Sequence, residues 1–350
     1  MVSAVRIRPS SIHPSGVSRT PMAFVKAIAT ALERGNVALQ PLLEQAHIAP
    51  ESLQHAGARI TAWQMERLSG LAMQALDDEA LGWFSRRLPW GSYGMLARAS
   101  LTAPTLDVAL RRWCRHHLLL TPDIRVELVR GDGAARLEIT ESVNLSALRE
   151  FCLVSMLRNA LGLACWLVDS RIPLLGAQFP FAAPPHSDAY PVLFSGAVRF
   201  DATRAGLQLD ATYLDLPVRR DEAALQQMLQ RGLALTVLPY RRDRLLAQRV
   251  RQALAADPLA MRSADRLADM LNVSTRTLHR QLRDEGASLQ QLKDDLRQRL
   301  AIDLLTRTRR PVAQVAALAG FRNEKSFARA FRQWTGQPPG AFRRGQPPPP

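Results

Sequence analysis

Residues 312–321 read VAQVAALAGF and residues 326–336 read SFARAFRQWTG. The spacing predicts two short helices separated by a tight turn. Pro311 stands at the first turn of the leading helix, where its missing N–H costs nothing. Val312, Val315, Ala316 and Ala319 recur at three-to-four spacing and share one face, which must be buried. Gly320 turns the chain, and Asn323 offers a side-chain oxygen to the open amides of the second helix. There Phe327 and Phe331 join Phe321 in a core, while Lys325, Arg329 and Arg332 fall on the opposite side.

The same arrangement occurs about 49 residues earlier. Ser263 caps a helix with Asp265 in its first turn and Leu267, Ala268 and Leu271 on one face. Ser274 caps the next, Thr275 to Glu285, in which Leu278 and Leu282 pack inward. Arg276, His279, Arg280 and Arg283 recur at i, i+3, i+4 and i+7 on the outer stripe. A basic stripe opposite an apolar one is what a reader of the DNA major groove needs, because arginine bonds two acceptors on a guanine edge. One such helix is ordinarily just a solvated surface; two in tandem point to nucleic acid. Leu289 to Leu305 reads as a continuous helix about 25 Å long, a strut able to hold the two recognition helices about 34 Å, one DNA turn, apart.

The charge distribution agrees. The chain has 350 residues and a net charge of +15, and residues 241–350 hold 22 basic and 10 acidic side chains against 24 and 21 in residues 1–240. The length fits two domains. Cys114, Cys152 and Cys165 are odd in number, lack paired spacing and sit among apolar neighbours, which suits reduced thiols in a cytoplasmic protein. The longest apolar run, Ala160 to Val168, is too short to span a membrane.

The quoted segments, with Pro339 through Phe342 and Arg343, resemble the C-terminal signature of the AraC/XylS family of bacterial transcription regulators. Leu267 and Ala268 with Ser274, Leu278, Arg280 and Leu282 are similar to the family's first unit. Leu296, Arg297, Ala301, Leu304 and Leu305 are similar to its connecting helix. The resemblance implies a double helix-turn-helix domain that binds double-stranded promoter DNA. DNA-contacting positions then fall on Ser274, Thr275, Arg276, Thr277, His279 and Arg280 in the first unit, and on Glu324, Lys325, Ser326 and Arg329 in the second. Lys325 replaces a small hydroxyl residue common in the family. Glu324 either accepts from a cytosine amine or serves as a helix-dipole partner. Contact with RNA polymerase, an activator role and a homodimer are further implications of the resemblance.

The first half changes period along its length. Ala23–Arg34, Thr61–Gln74, Leu81–Arg87 and Leu106–Leu119 read as helices. Ile124–Leu128 and Ala135–Ile139 alternate around Gly131-Asp132-Gly133 and predict a hairpin. Leu145–Val168 reads as a long apolar helix, and Gln178–Phe181, Ala197–Phe200 and Leu207–Leu209 read as strands. The expected fold class is an α+β N-terminal sensor domain, helices plus a small sheet, followed by an all-α DNA-binding domain. The expected boundaries are a flexible tail over 1–20, a sensor or dimerisation domain over 21–216, a helical linker over 217–240 holding a helix from Glu222 to Gln230, the DNA-binding domain over 241–344 and a proline-rich tail over 345–350.

The segments LERGN (32–36), ARIT (58–61), LGWF (81–84), GSYG (91–94) and APTLDVAL (103–110) resemble the arabinose-binding-type N-terminal domain of regulators related to those for ornithine use. That label does not make arabinose the ligand. Trp63, Trp83, Trp90 and Tyr93 are candidates for a small-molecule effector pocket, although large aromatics at helical spacing are ordinarily core. Nucleotide and zincin motifs are absent, and neither cofactor nor catalytic residue is expected. The rival reading is an N-terminal enzyme or metal-binding unit with a non-specific basic tether. It rests on the apolar pocket pattern and on Cys114 and His117, three apart on one helix, for which packing with a hydrogen-bonded histidine is the simpler explanation.

Overall fold

The computed structural model describes residues 19–55, 57–131, 133–240, 242, 245–257, 263–285, 287–321 and 323–345. Of the tails expected over 1–20 and 345–350, residues 1–18 and 346–350 lie outside them, as does Asp132 of the hairpin turn; Thr20, expected in the first tail, is instead buried and paired with Ile60 in a short ladder. By its internal contacts the chain divides into Met1–Arg242 and Asp243–Pro350.

In the first unit, β1 (Thr20–Pro21) pairs with β2 (Arg59–Ile60), and between and after them run α1 (Met22–Arg34), α2 (Gln40–Gln45), α3 (Ala62–Leu76), α4 (Ser92–Leu101) and α5 (Leu106–Leu120). Thr61 starts α3 with a reciprocal cap, accepting from the Gln64 amide while Gln64 accepts from the Thr61 amide. The alternating segments form β3 (Ile124–Arg130) and β4 (Ala134–Glu141), antiparallel, with Val126 opposite Ile139 and Leu128 opposite Leu137. Ile124, Val126 and Leu128 are buried while Arg125 and Glu127 face solvent, as a one-sided sheet demands. The turn is closed by Gly133 at φ +74°. With β5 (Leu174–Gln178), β6 (Val198–Arg199) and β7 (Ala205–Asp210) these strands form a sheet in the order β3-β4-β7-β5-β6, in which only β5 and β6 are parallel among the described residues.

The central element is α6 (Arg149–Leu167), with 15 of its 19 residues buried. Residues 146–167 are long and apolar enough to cross a membrane, but 83% of the apolar window is buried inside the unit. Such an all-round apolar helix is a core helix here. A short helix, α7 (Tyr190–Phe194), closes an aromatic cluster around Phe179.

Three further expectations require correction. Leu81–Arg87 is a loop, not a helix: the Asp78 carboxylate accepts from the amides of Ala80, Gly82 and Leu88 at 3.0, 2.8 and 2.9 Å, and Leu81 and Gly82 adopt φ of +48° and +72°. The strand expected over Gln178–Phe181 lies earlier and ends at Gln178, because Pro180 has no N–H to extend the ladder. Residues 217–240, expected as a helical linker, fold onto the first unit as α8 (Glu222–Leu229) and α9 (Ala234–Val237). Glu222 pairs with Arg98 at 2.6 Å, Arg231 with Glu66 at 2.6 Å, and Asp169 accepts from Tyr240 Oη at 2.7 Å and Arg242 Nη1 at 3.0 Å.

The approach of α9 to α6 depends on Gly162. A Cβ there would stand 2.2 Å from the Leu235 carbonyl oxygen. Gly162→Val is therefore expected to destabilise the full-length protein by about 1–3 kcal/mol, the range for overpacking. Urea unfolding followed by tryptophan fluorescence checks it; an unchanged midpoint contradicts the close approach.

The second unit is all helical among its described residues: α10 (Leu246–Ala256), α11 (Ala264–Met270), α12 (Thr275–Asp284), α13 (Leu289–Arg307), α14 (Val312–Leu318), α15 (Glu324–Thr335) and α16 (Pro339–Arg344). It has two small cores. Val250, Leu254, Leu267, Leu278, Leu282 and Leu292 make one; Ala301, Leu305, Val315, Ala316, Phe327 and Phe331 make the other. The strut α13 supplies residues to both. Glu285 caps α10 from a distance, its carboxylate accepting from the amides of Leu246 and Ala247 at 2.7 and 2.9 Å.

Candidate nucleic-acid interface and N-terminal cavity

Each helix-turn-helix unit is built the same way. In the first, Ser274 Oγ accepts from the Thr277 amide at 3.1 Å and meets Thr277 Oγ1 at 2.8 Å, while Thr275 Oγ1 donates to Asp265 at 2.6 Å. These three hydroxyls fix the start of α12 and its angle to α11. Leu278 and Leu282 are fully buried, which turns Arg276, His279, Arg280 and Arg283 to solvent. In the second, Asn323 Oδ1 accepts from the Ser326 amide at 2.8 Å, and buried Phe327 and Phe331 turn Glu324, Lys325, Ser326, Arg329 and Arg332 outward.

The charges on these faces are unspent. Among the described residues, Arg276, His279, Arg280, Lys325 and Arg329 form no ion pair, whereas Arg266 is paired with Asp257 and Arg307 with Asp303. Unpaired exposed guanidinium groups in a row on a rigid helix can meet phosphates or base edges without first breaking a protein contact.

In the first unit, Trp63, Trp83, Trp90 and Tyr93 line one cavity of about 1040 Å³. Trp83 is buried with Nε1 unpartnered among the described residues; Trp90 is 48% exposed at the mouth. Tyr93 Oη donates to Met156 Sδ at 3.0 Å. Sequence reasoning missed the charged wall residues Glu66, Arg67, Glu79, Arg98, Arg158 and Arg231, of which Glu79 and Arg158 are buried. Arg158 had a signal, as the single charged residue between Glu150 and Asp169 in an apolar run. The Glu79 carboxylate accepts from the amides of Gly91 and Tyr93 at 2.8 and 2.7 Å, and burial nevertheless raises its pKa from the ordinary glutamate value.

Cys114 and His117 are buried on α5. All three cysteines are free, and burial pushes the Cys114 thiol up to about 12 and that of Cys165 to about 11. The His117 ring packs against Phe84, Tyr93 and Trp113. The expected hydrogen bond is not there: neither ring nitrogen has a partner among the described residues. Among those residues, no group of three or more His, Cys, Asp or Glu could hold a metal ion.

Residues 37–218 match the arabinose-binding domain of AraC transcription regulators, N-terminal, and residues 267–345 match a helix-turn-helix domain. The chain is 30% identical to the ornithine utilization regulator of Pseudomonas aeruginosa over 92% of its own length and 96% of the relative's. It is 28% identical to the transcriptional regulator VqsM of the same organism, over 72% of this chain and 79% of that one. The solved structure of the transcriptional regulator CdpR from Pseudomonas aeruginosa aligns with 92% of this chain and 98% of its own, at 21% identity and a TM-score of 0.32.

Proposed function

The chain belongs to the AraC family of transcription regulators, in the group with an arabinose-binding-type N-terminal domain, and from that premise we propose how it acts on DNA. Residues 241–344 bind an asymmetric promoter site, with α12 and α15 entering successive major grooves. Arg276, His279 and Arg280 read or clamp the first, and Lys325, Ser326 and Arg329 the second, with Glu324 at the helix start. Ser274, Thr275 and Thr277 set the approach of α12. The observation that carries this reading is the pair of capped helices, each presenting unpaired basic side chains over a buried core.

Residues 21–216 sense a small molecule and join two copies of the chain. The ligand sits in the cavity against Trp63, Trp83, Trp90 and Tyr93, and shifts how the dimer presents its DNA-binding units. Its effect on DNA affinity is bounded by its differential affinity for the two states. The regulator activates transcription through contact with RNA polymerase.

Arg280→Ala tests the assignment of α12. It is expected to weaken specific binding by about 1–3 kcal/mol and to relax preference at one or two base positions. Binding of the full-length variant to a panel of singly substituted sites reads this directly. Uniform weakening across all sites would reduce Arg280 to a phosphate contact.

A further inference from the structure

One buried charge in the cavity wall of the N-terminal unit has no opposite charge beside it among the described residues. Arg158 on α6 is 5% exposed. Its guanidinium donates from Nε to the Thr236 carbonyl at 2.9 Å, from Nη1 to that of Leu193 at 2.6 Å, and from Nη2 to that of Leu238 at 3.0 Å. These bonds use three of the five N–H groups, and all three acceptors are neutral. Among the described residues no carboxylate pairs with Arg158. Burial lowers its pKa to about 10, so the group remains a cation at neutral pH.

A buried cation without a counter-ion is costly, and proteins ordinarily pair it. Of the other charges of the wall, Arg67 is exposed to solvent and the rest are held by protein groups. Arg231 is paired with Glu66 and Arg98 with Glu222, and Glu79 is held by the Gly91 and Tyr93 amides. What remains buried is a positive centre in a wall otherwise dominated by aromatic and aliphatic side chains.

We propose that the cavity binds an anionic small molecule with an apolar body, its carboxylate or other oxyanion on Arg158 and its body against Trp63, Trp83 and Trp90. The planar guanidinium fork matches an oxyanion in geometry as well as charge. The inference rests on the reading of this cavity as an effector site. Because the same guanidinium holds the carbonyls of Thr236 and Leu238, an anion there acts directly on the last segment of the unit, which the chain leaves after Arg242.

Two fluorescent probes that differ only by a sulfonate test it on the full-length protein: 8-anilinonaphthalene-1-sulfonate and neutral N-phenyl-1-naphthylamine. The sulfonate is expected to bind saturably and at least about tenfold more tightly, a ratio that Arg158→Met brings near one. Equal affinities in the unaltered protein would overturn the anion assignment while leaving the effector cavity standing. Binding of neither probe would overturn both. A preference that survives Arg158→Met would place the anion on exposed arginines and overturn the proposal. Should that variant fail to fold, Asn159→Asp is the isosteric substitute, since Asn159 lines the cavity beside Thr236. The added carboxylate is expected to weaken the sulfonate about tenfold and leave the neutral probe unchanged; an unaltered sulfonate affinity would contradict the assignment.

Discussion

Phe327→Ala is expected to destabilise the C-terminal unit by about 3–5 kcal/mol, the cost of truncating a fully buried ring in a core that cannot collapse to fill the space. The ring is 0% exposed and packs at 5.4 Å from Phe321 and 5.5 Å from Phe331, which in turn lies 5.3 Å from Phe342. This core is small, and α15 rests on it through Phe327 and Phe331 alone among its fully buried residues. Specific DNA affinity should therefore fall with stability, although Phe327 faces away from the exposed Lys325 and Arg329. Urea unfolding together with binding measurements on the full-length variant checks both effects. A loss below about 1 kcal/mol would show that the second unit does not depend on its aromatic core. Arg329→Ala is the contrast: an exposed side chain whose removal leaves stability within about 0.5 kcal/mol.

A second large effect is expected with pH. Burial lowers the His117 pKa from 6.5 to about 4. Because the folded value lies below the unfolded one, the stability held by neutral His117 is complete above pH 6.5 and is lost as pH falls from 6.5 to 4. The shift corresponds to about 3 kcal/mol. His117→Leu should remove that loss, and at no hydrogen-bond cost, since neither ring nitrogen is bonded among the described residues. Glu79 acts in the opposite sense. Its folded pKa is raised, so it favours the folded state below its unfolded value and loses that contribution as pH rises. The informative quantity is thus the difference between variant and parent in urea midpoint, followed from pH 7 to 4.5. A constant difference would mean that His117 does not stay neutral in the folded protein.

The legible parts of the fold were those written in local chemistry. Ser263, Ser274 and Asn323 each announce a helix start, and each accepts from the amide three residues on. Phe327 and Phe331 at i and i+4 place Lys325 and Arg329 on the far face without any tertiary information. The alternation of Ile124 to Leu128 likewise fixes which side of the sheet is buried. What escaped was set by distant contacts. The Leu81–Arg87 segment has a helical apolar pattern, but the Asp78 carboxylate draws the amide of Gly82 and those of Ala80 and Leu88 on either side of the segment into a loop. Residues 217–240 show breakers at Gly232 and Pro239, yet nothing local tells that Arg158 and Gly162 hold α9 to α6. The aromatics Trp63, Trp83, Trp90 and Tyr93 were identifiable as a group, whereas the charge among them was hidden in a run read only for its apolarity.

The central claim is that this chain recognises particular DNA sequences through two helix-turn-helix units. Selection of genomic fragments by the purified full-length protein at physiological salt tests it most directly. The account predicts enrichment of one asymmetric motif of about 20 base pairs, bound about 10³-fold or more over random duplex. Equal retention of all fragments would contradict it and leave the basic half as an electrostatic tether.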